Sequence, residues 1–111
     1  MPTTIVRSRQ SGAITVIDVS GRLTLGQSIS DMRHALEGAL IPETGDVIVN
    51  LVEVEYIDSA GIGALIAGLK QSQQNQCSFR LANVPKRVTD LLRLAGTWSL
   101  FRIAETVPPA E

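Results

Sequence analysis

Asp58-Ser59-Ala60-Gly61-Ile62-Gly63 sets a carboxylate, a hydroxyl and two glycines in one short run, just ahead of an apolar stretch of helical spacing. A serine there can serve as a nucleophile, a helix cap or a modified residue. A nucleophile needs a base and a group to orient that base. Ser59 is not in a Gly-x-Ser-x-Gly elbow. The single histidine, His34, falls in another predicted helix, off its apolar stripe, and reads as a solvated surface residue. Gly61-x-Gly63-x-x-Ile66 lacks the third glycine of a dinucleotide fingerprint and follows a predicted loop, not a strand. No P-loop pattern occurs, and no Cys, His or carboxylate cluster converges on a metal. Neither enzymatic activity, nor a metal, nor a cofactor is expected.

Capping is the plainer role. Ser59 could accept from a free N–H of the first turn, with Asp58 as the alternative cap. Capping alone does not explain Gly61 and Gly63, each of which costs a helix about 1 kcal/mol relative to Ala. With Ala60, Ala64, Ala67 and Gly68 they leave the helix bare away from its stripe. Such a face admits another backbone, from the protein's own sheet or from a partner.

The elements that must position this run follow from periodicity. Ile5–Arg9 and Ala13–Val19 read as a hairpin around Gln10-Ser11-Gly12, and Gly21 breaks the pattern. Ile29, Met32, Leu36 and Leu40 mark a first helix, capped by Ser28 or Ser30 and ended by Pro42 and Gly45. Val47–Leu51 is a β-branched run suited to a central strand covered on both faces. A loop over Val52–Ile57 leads to the second helix, with Ile62, Leu65, Ile66 and Leu69 on its stripe and Lys70–Asn75 closing it. Phe79 and Leu81 belong to a fourth strand. A third helix runs from Pro85 through Val88, Leu91, Leu92 and Ala95 to Gly96. Leu100–Ile103 reads as a last strand, followed by a tail frayed at Pro108-Pro109. The order β-β-α-β-α-β-α-β predicts an α/β fold, with helices packed on the faces of a small mixed, mostly parallel sheet.

Composition bounds the function classes. A chain of 111 residues, 44% hydrophobic and 19% charged, fits one globular domain spanning 1–111. Ten basic and eleven acidic residues leave a net charge of −1, which argues against direct binding to nucleic acid. Lone Cys77 fits a structural thiol in a reducing compartment. No secretory pattern opens the chain, and Ile57–Leu69 is too short to span a bilayer. A cytoplasmic protein with no membrane insertion is expected.

Asn50-Leu51 followed by Tyr56-Ile57-Asp58-Ser59-Ala60-Gly61-Ile62-Gly63 resembles the signature of STAS domains, specifically bacterial anti-sigma factor antagonists. The resemblance covers nearly the whole chain: Val19-Ser20-Gly21-Arg22-Leu23 is similar to the family's turn after its second strand. Val88–Gly96 is similar to its third helix and closing glycine. The chain departs from the family pattern at Thr24, where many antagonists carry an acidic residue, and in a shortened or absent C-terminal helix. The resemblance implies a phosphoprotein of transcription regulation acting by partner switching. Ser59 matches the serine phosphorylated by an anti-sigma factor that is itself a serine kinase, and Asp58 matches the motif's acidic neighbour. Unmodified protein would bind that kinase, phosphorylation would block binding, and a PP2C-type phosphatase would reset the switch. The expected partner surface comprises Asp58, Ser59, Gly61, Gly63, Ala64 and Gly68, with Gly21 to Gly26, including Thr24, beside it. Two alternatives keep the fold: a STAS subunit of an ABC-type transporter ATPase without phosphorylation, or a nucleotide-binding protein using the Gly61–Gly63 backbone as an anion cradle.

Overall fold

The structure, a computed structural model, describes residues 4–42 and 45–108. Two antiparallel strands open the chain, β1 (Ile5–Ser11) and β2 (Ile14–Leu23), paired from Ile5↔Ser20 to Ser11↔Ile14. Both run beyond their expected ends. Gly21 does not break β2; it lies inside it with φ +92, where the pairing to the next strand shifts register between Gly21 and Arg22. That left-handed conformation is open to glycine, so the ladder absorbs a bulge and continues.

Helix α1 (Gln27–Ala39) buries Ile29, Met32 and Leu36, as their spacing predicts, with Ala39 beside them; Leu40, the last residue of the expected stripe, is its buried C-cap, and His34 is exposed. Its N-cap is Gly26, with no side-chain cap bond. Neither Ser28 nor Ser30 caps it. Ser28 Oγ instead donates to the Thr24 carbonyl (2.7 Å) and accepts from the Thr24 N–H (3.2 Å), which fastens the β2–α1 turn.

Strand β3 (Asp46–Ile57) replaces the expected Val52–Ile57 loop with regular structure. Beyond a register shift it pairs Glu53, Val54, Tyr56 and Ile57 with Ser20, Gly21, Arg22 and Leu23. Val54 and Ile57 are buried there, and the Arg22 guanidinium lies 4.7 Å from the centroid of the Tyr56 ring. Helix α2 (Ser59–Gln74), β4 (Ser78–Ala82), α3 (Lys86–Leu94), a 3-10 turn (Trp98–Leu100) and β5 (Arg102–Ala104) complete the chain. The last strand starts two residues later than expected, because Trp98–Leu100 coils first.

The five strands lie in the order β1-β2-β3-β4-β5, parallel from β2 onward. Parallel crossovers are almost always right-handed, and three of them between successive neighbours in an order that never reverses place their helices on one side. The packing agrees: Met32, Leu36, Ala64, Leu65, Val88 and Leu92 share one core with Val47, Val49, Leu51, Phe79 and Leu81. The opposite face is covered at β3 by the chain itself. Ile48, 2% exposed, packs with Ala82 and Ala104, and with Ile14 and Val107 at their margin. The tail is therefore seated as far as Pro108, whose carbonyl accepts from Arg9 Nη1 (2.8 Å). Pro109, the second residue of the expected frayed pair, lies outside the described residues. Among the described residues no helix is long and apolar enough to cross a membrane.

Candidate functional site

The end of β3 feeds the first turn of α2 with one intervening residue, Asp58. Its backbone is extended, and its N–H donates to the Leu23 carbonyl at the end of β2 (3.3 Å). Its side chain works in two directions. Oδ1 accepts from the Gly61 N–H (2.9 Å) and caps α2, while Oδ2 accepts from the Leu25 N–H (3.0 Å) in the β2–α1 turn. Burial raises the Asp58 pKa, but the N–H groups of Leu25, Gly61, Ala60 and Asp58 itself outweigh it and hold the carboxyl below its ordinary value.

Asp58, not Ser59, is thus the cap. Ser59 becomes the first residue of the helix, exposed, and its hydroxyl makes no hydrogen bond among the described residues. The Gly61 N–H that a Ser59 cap could use is already held by the carboxylate. The Ser59 side chain is left exposed to solvent.

The bare face of α2 separates into two surfaces. A Cβ on Gly61 would lie on the Leu23 carbonyl oxygen and 2.6 Å from Ile57 Cγ1, so the missing side chain lets the helix start sit directly on β2 and β3. Ala64 is fully buried, and a Cβ on Gly68 would meet Leu36 Cδ1 at 3.0 Å and Phe79 Cε1 at 3.3 Å. Gly61, Ala64 and Gly68 were expected to face a partner; they seat α2 against the protein's own sheet and α1. Gly63 is exposed with open space around it and stays on the accessible surface beside Ser59. Gly21 and Thr24 are half-buried on the adjoining strand end and turn, and Thr24 is fixed through Ser28.

The anion-cradle geometry is weakened by the same carboxylate, which occupies the N–H groups at the helix start. One objection to a dinucleotide fingerprint falls, since α2 does follow a strand closely; the missing third glycine remains. His34, the lone candidate base, borders a depression lined by Ser8, Gln10, Thr15, Ala35, Gly38 and Ala39, none of which is a carboxylate. Among the described residues no group of three or more His, Cys, Asp or Glu could hold a metal.

Two features were not singled out by the sequence. Leu25 projects from the turn tied to Asp58 and is 80% exposed. Its only sequence signal was an apolar residue in a polar turn, four positions before Ile29 and so readable as part of the α1 stripe. On the far face, Arg9 Nε donates to Asp18 Oδ2 (2.6 Å), Asn50 Nδ2 to Asp18 Oδ1 (2.9 Å) and Asn83 Nδ2 to Asn50 Oδ1 (3.1 Å). This polar chain ties β1, β2, β3 and the end of β4 together.

Comparison with known proteins agrees with this geometry. A family model described as "Mlab, STAS domain" matches residues 6–100. The anti-sigma-B factor antagonist of Staphylococcus epidermidis is 35% identical over 74 residues, 63% of this chain and 68% of that protein. A putative anti-sigma factor antagonist from Thermotoga maritima superposes with a TM-score of 0.80 at 17% identity, over 92% of this chain and 87% of its own. The anti-sigma factor antagonist SpoIIAA in its unphosphorylated form gives 0.73 at 16% identity, over 91% of this chain and 89% of its own. The phosphorylated form from Bacillus gives 0.68 at 15% identity, over 91% of this chain and 92% of its own. By the match over residues 6–100 and by the identity of its relatives, the chain belongs to the STAS domain family, among proteins that carry the name anti-sigma factor antagonist.

Proposed function

We propose that this protein is a cytoplasmic anti-sigma factor antagonist whose binding to an anti-sigma serine kinase is controlled by phosphorylation of Ser59. The observation that carries this reading is the exposed Ser59 hydroxyl, released from capping by Asp58. The names of its relatives supply the partner class, and the fold is shared with SpoIIAA in both its phosphorylated and unphosphorylated forms.

The kinase would transfer the γ-phosphoryl group of ATP to Ser59 Oγ, with loss of the hydroxyl proton and release of ADP. The product carries about −1.5 to −2 charge. A helix N-terminus favours that charge by only about 0.3–1 kcal/mol at an exposed position. Here the Asp58 carboxylate already holds the local N–H groups and repels the phosphate. The modified side chain therefore stays in solvent and the fold is left as it was. Docking a partner over it is different, because an uncompensated buried charge costs roughly 3–5 kcal/mol. At about 1.4 kcal/mol per decade, that is at least two decades of affinity. The switch is steric and electrostatic, with no refolding. A PP2C-type phosphatase would restore binding by hydrolysing the phosphate ester.

The test is titration of the purified protein against each kinase-type anti-sigma factor encoded in its own genome, with and without Mg-ATP, followed by peptide mapping. Ser59→Ala should bind one of them as tightly as the unmodified protein and accept no phosphate. Ser59→Glu should bind at least tenfold more weakly at unchanged thermal stability. Wild-type affinity in Ser59→Glu would overturn the mechanism. No phosphate on Ser59 in protein taken from its host under several growth conditions would favour the transporter-subunit reading.

A further inference from the structure

We infer that Leu25 is the apolar anchor by which this protein grips its anti-sigma partner, seated in an apolar pocket of that partner beside the group that meets Ser59. The inference rests on the function proposed above and adds to it a residue outside the signature.

An 80% exposed leucine on a short turn loses contact with water only if another molecule covers it. Exposure alone would say little, since single apolar residues are common on surfaces. What distinguishes Leu25 is how its backbone is held. Its own N–H is bound to Asp58 Oδ2 (3.0 Å), and both backbone polar groups of Thr24, before it, are bound to Ser28 Oγ. The Gly26 carbonyl, after it, accepts from the N–H groups of Ile29 (3.2 Å) and Ser30 (3.4 Å). A side chain presented on a pre-set backbone loses little freedom on binding, and that is what separates a hot spot from an incidental contact.

The same carboxylate joins this turn to the phosphorylation site. Asp58 Oδ1 holds the Gly61 N–H and Oδ2 the Leu25 N–H, with Ser59 the next residue along. Leu25 and Ser59 thus belong to one surface, clamped by one side chain, so a partner that desolvates Ser59 also meets Leu25. Other exposed apolar residues lack that link. Leu94, 86% exposed, ends α3, and Val52 lies on β3.

The experiment uses the full chain and the anti-sigma kinases named above. Leu25→Ala should weaken binding roughly ten- to fifty-fold, the loss expected from about two to three buried methylene equivalents. Leu25→Gln, similar in volume but polar, should weaken it at least as much. Both should unfold at the wild-type temperature, and Leu94→Ala should bind normally. If Ser59→Glu weakens binding while Leu25→Ala and Leu25→Gln bind as wild type, the anchor is overturned and the proposed function stands. If the Leu25 variants weaken binding and Ser59→Glu does not, the anchor stands and the phosphoswitch falls. If the wild type binds none of the anti-sigma factors, both fall.

Discussion

Asp58 carries more of the structure around the site than Ser59 does. It caps α2, restrains the Leu25 turn and bonds to the end of β2. Asp58→Ala removes the cap acceptor and should cost about 0.5–2 kcal/mol in denaturant unfolding, with Asp58→Asn losing less because its carbonyl can still accept. The lowered Asp58 pKa fixes the direction of a pH effect. A carboxyl held below its unfolded value contributes stability that is present above the ordinary carboxylate range and is lost as pH falls through the lowered value. Stability of the wild type should therefore decline in acid, below about pH 4, and the decline should be shallower in Asp58→Asn. Equal slopes in the two proteins would show that the two N–H bonds do not favour the charged form.

At the scale of the element, α2 uses one residue type for two purposes. Gly61 is empty because the Leu23 carbonyl and the Ile57 side chain fill the place of its Cβ. Gly63, half a turn on, has nothing within 4 Å of such an atom. The same substitution should thus have opposite signs. Gly61→Ala should destabilise by about 1–3 kcal/mol, since a backbone oxygen cannot give way as a side chain can. Gly63→Ala should stabilise by about 0.5–1 kcal/mol by removing the entropy penalty of glycine in a helix. Chemical unfolding of the pair measures both. Two changes of the same sign would contradict the division of α2 into a seated face and an open one.

Across the whole molecule, an uninterrupted strand order puts the three helices on one face and leaves the other to short-range cover. Ile48, Ala82 and Ala104 form a small second core under Val107, and Arg9 couples the first strand to the tail through Pro108 and to Asp18. Burial raises the Asp18 pKa, but the hydrogen bonds from Arg9 and Asn50, and the Arg9 charge, lower it further. Arg9→Ala removes two bonds made by one guanidinium. Both partners are partly in water, so the loss should be about 1 kcal/mol, a fall of roughly 4 °C in Tm for a domain of this size. It should also flatten the acid end of the stability curve, because Asp18 loses the cation that favours its charged form. An unchanged Tm would show that the tail is not held through Arg9.

The order of elements and the apolar spacing of the first helix, whose Ile29, Met32, Leu36 and Leu40 are all buried, were legible along the chain, because they depend on residues a few positions apart. Val52–Ile57, expected to be a loop, is strand instead, because Val54 and Ile57 pair with β2 and are buried there, and that pairing lies outside the local pattern. Local pattern could not choose which of two adjacent polar residues caps α2. That choice depended on the Leu25 N–H, 33 residues back in the chain, which gives Asp58 a second partner that Ser59 lacks. Nor could spacing tell the glycine that faces the protein's own strands from the one that faces solvent, since both lie on the same bare helix. Sequence by itself therefore determined the order of elements and the fold class. Tertiary structure alone decided which neighbours remain exposed around Ser59, because exposure is set by what the rest of the chain brings against each position.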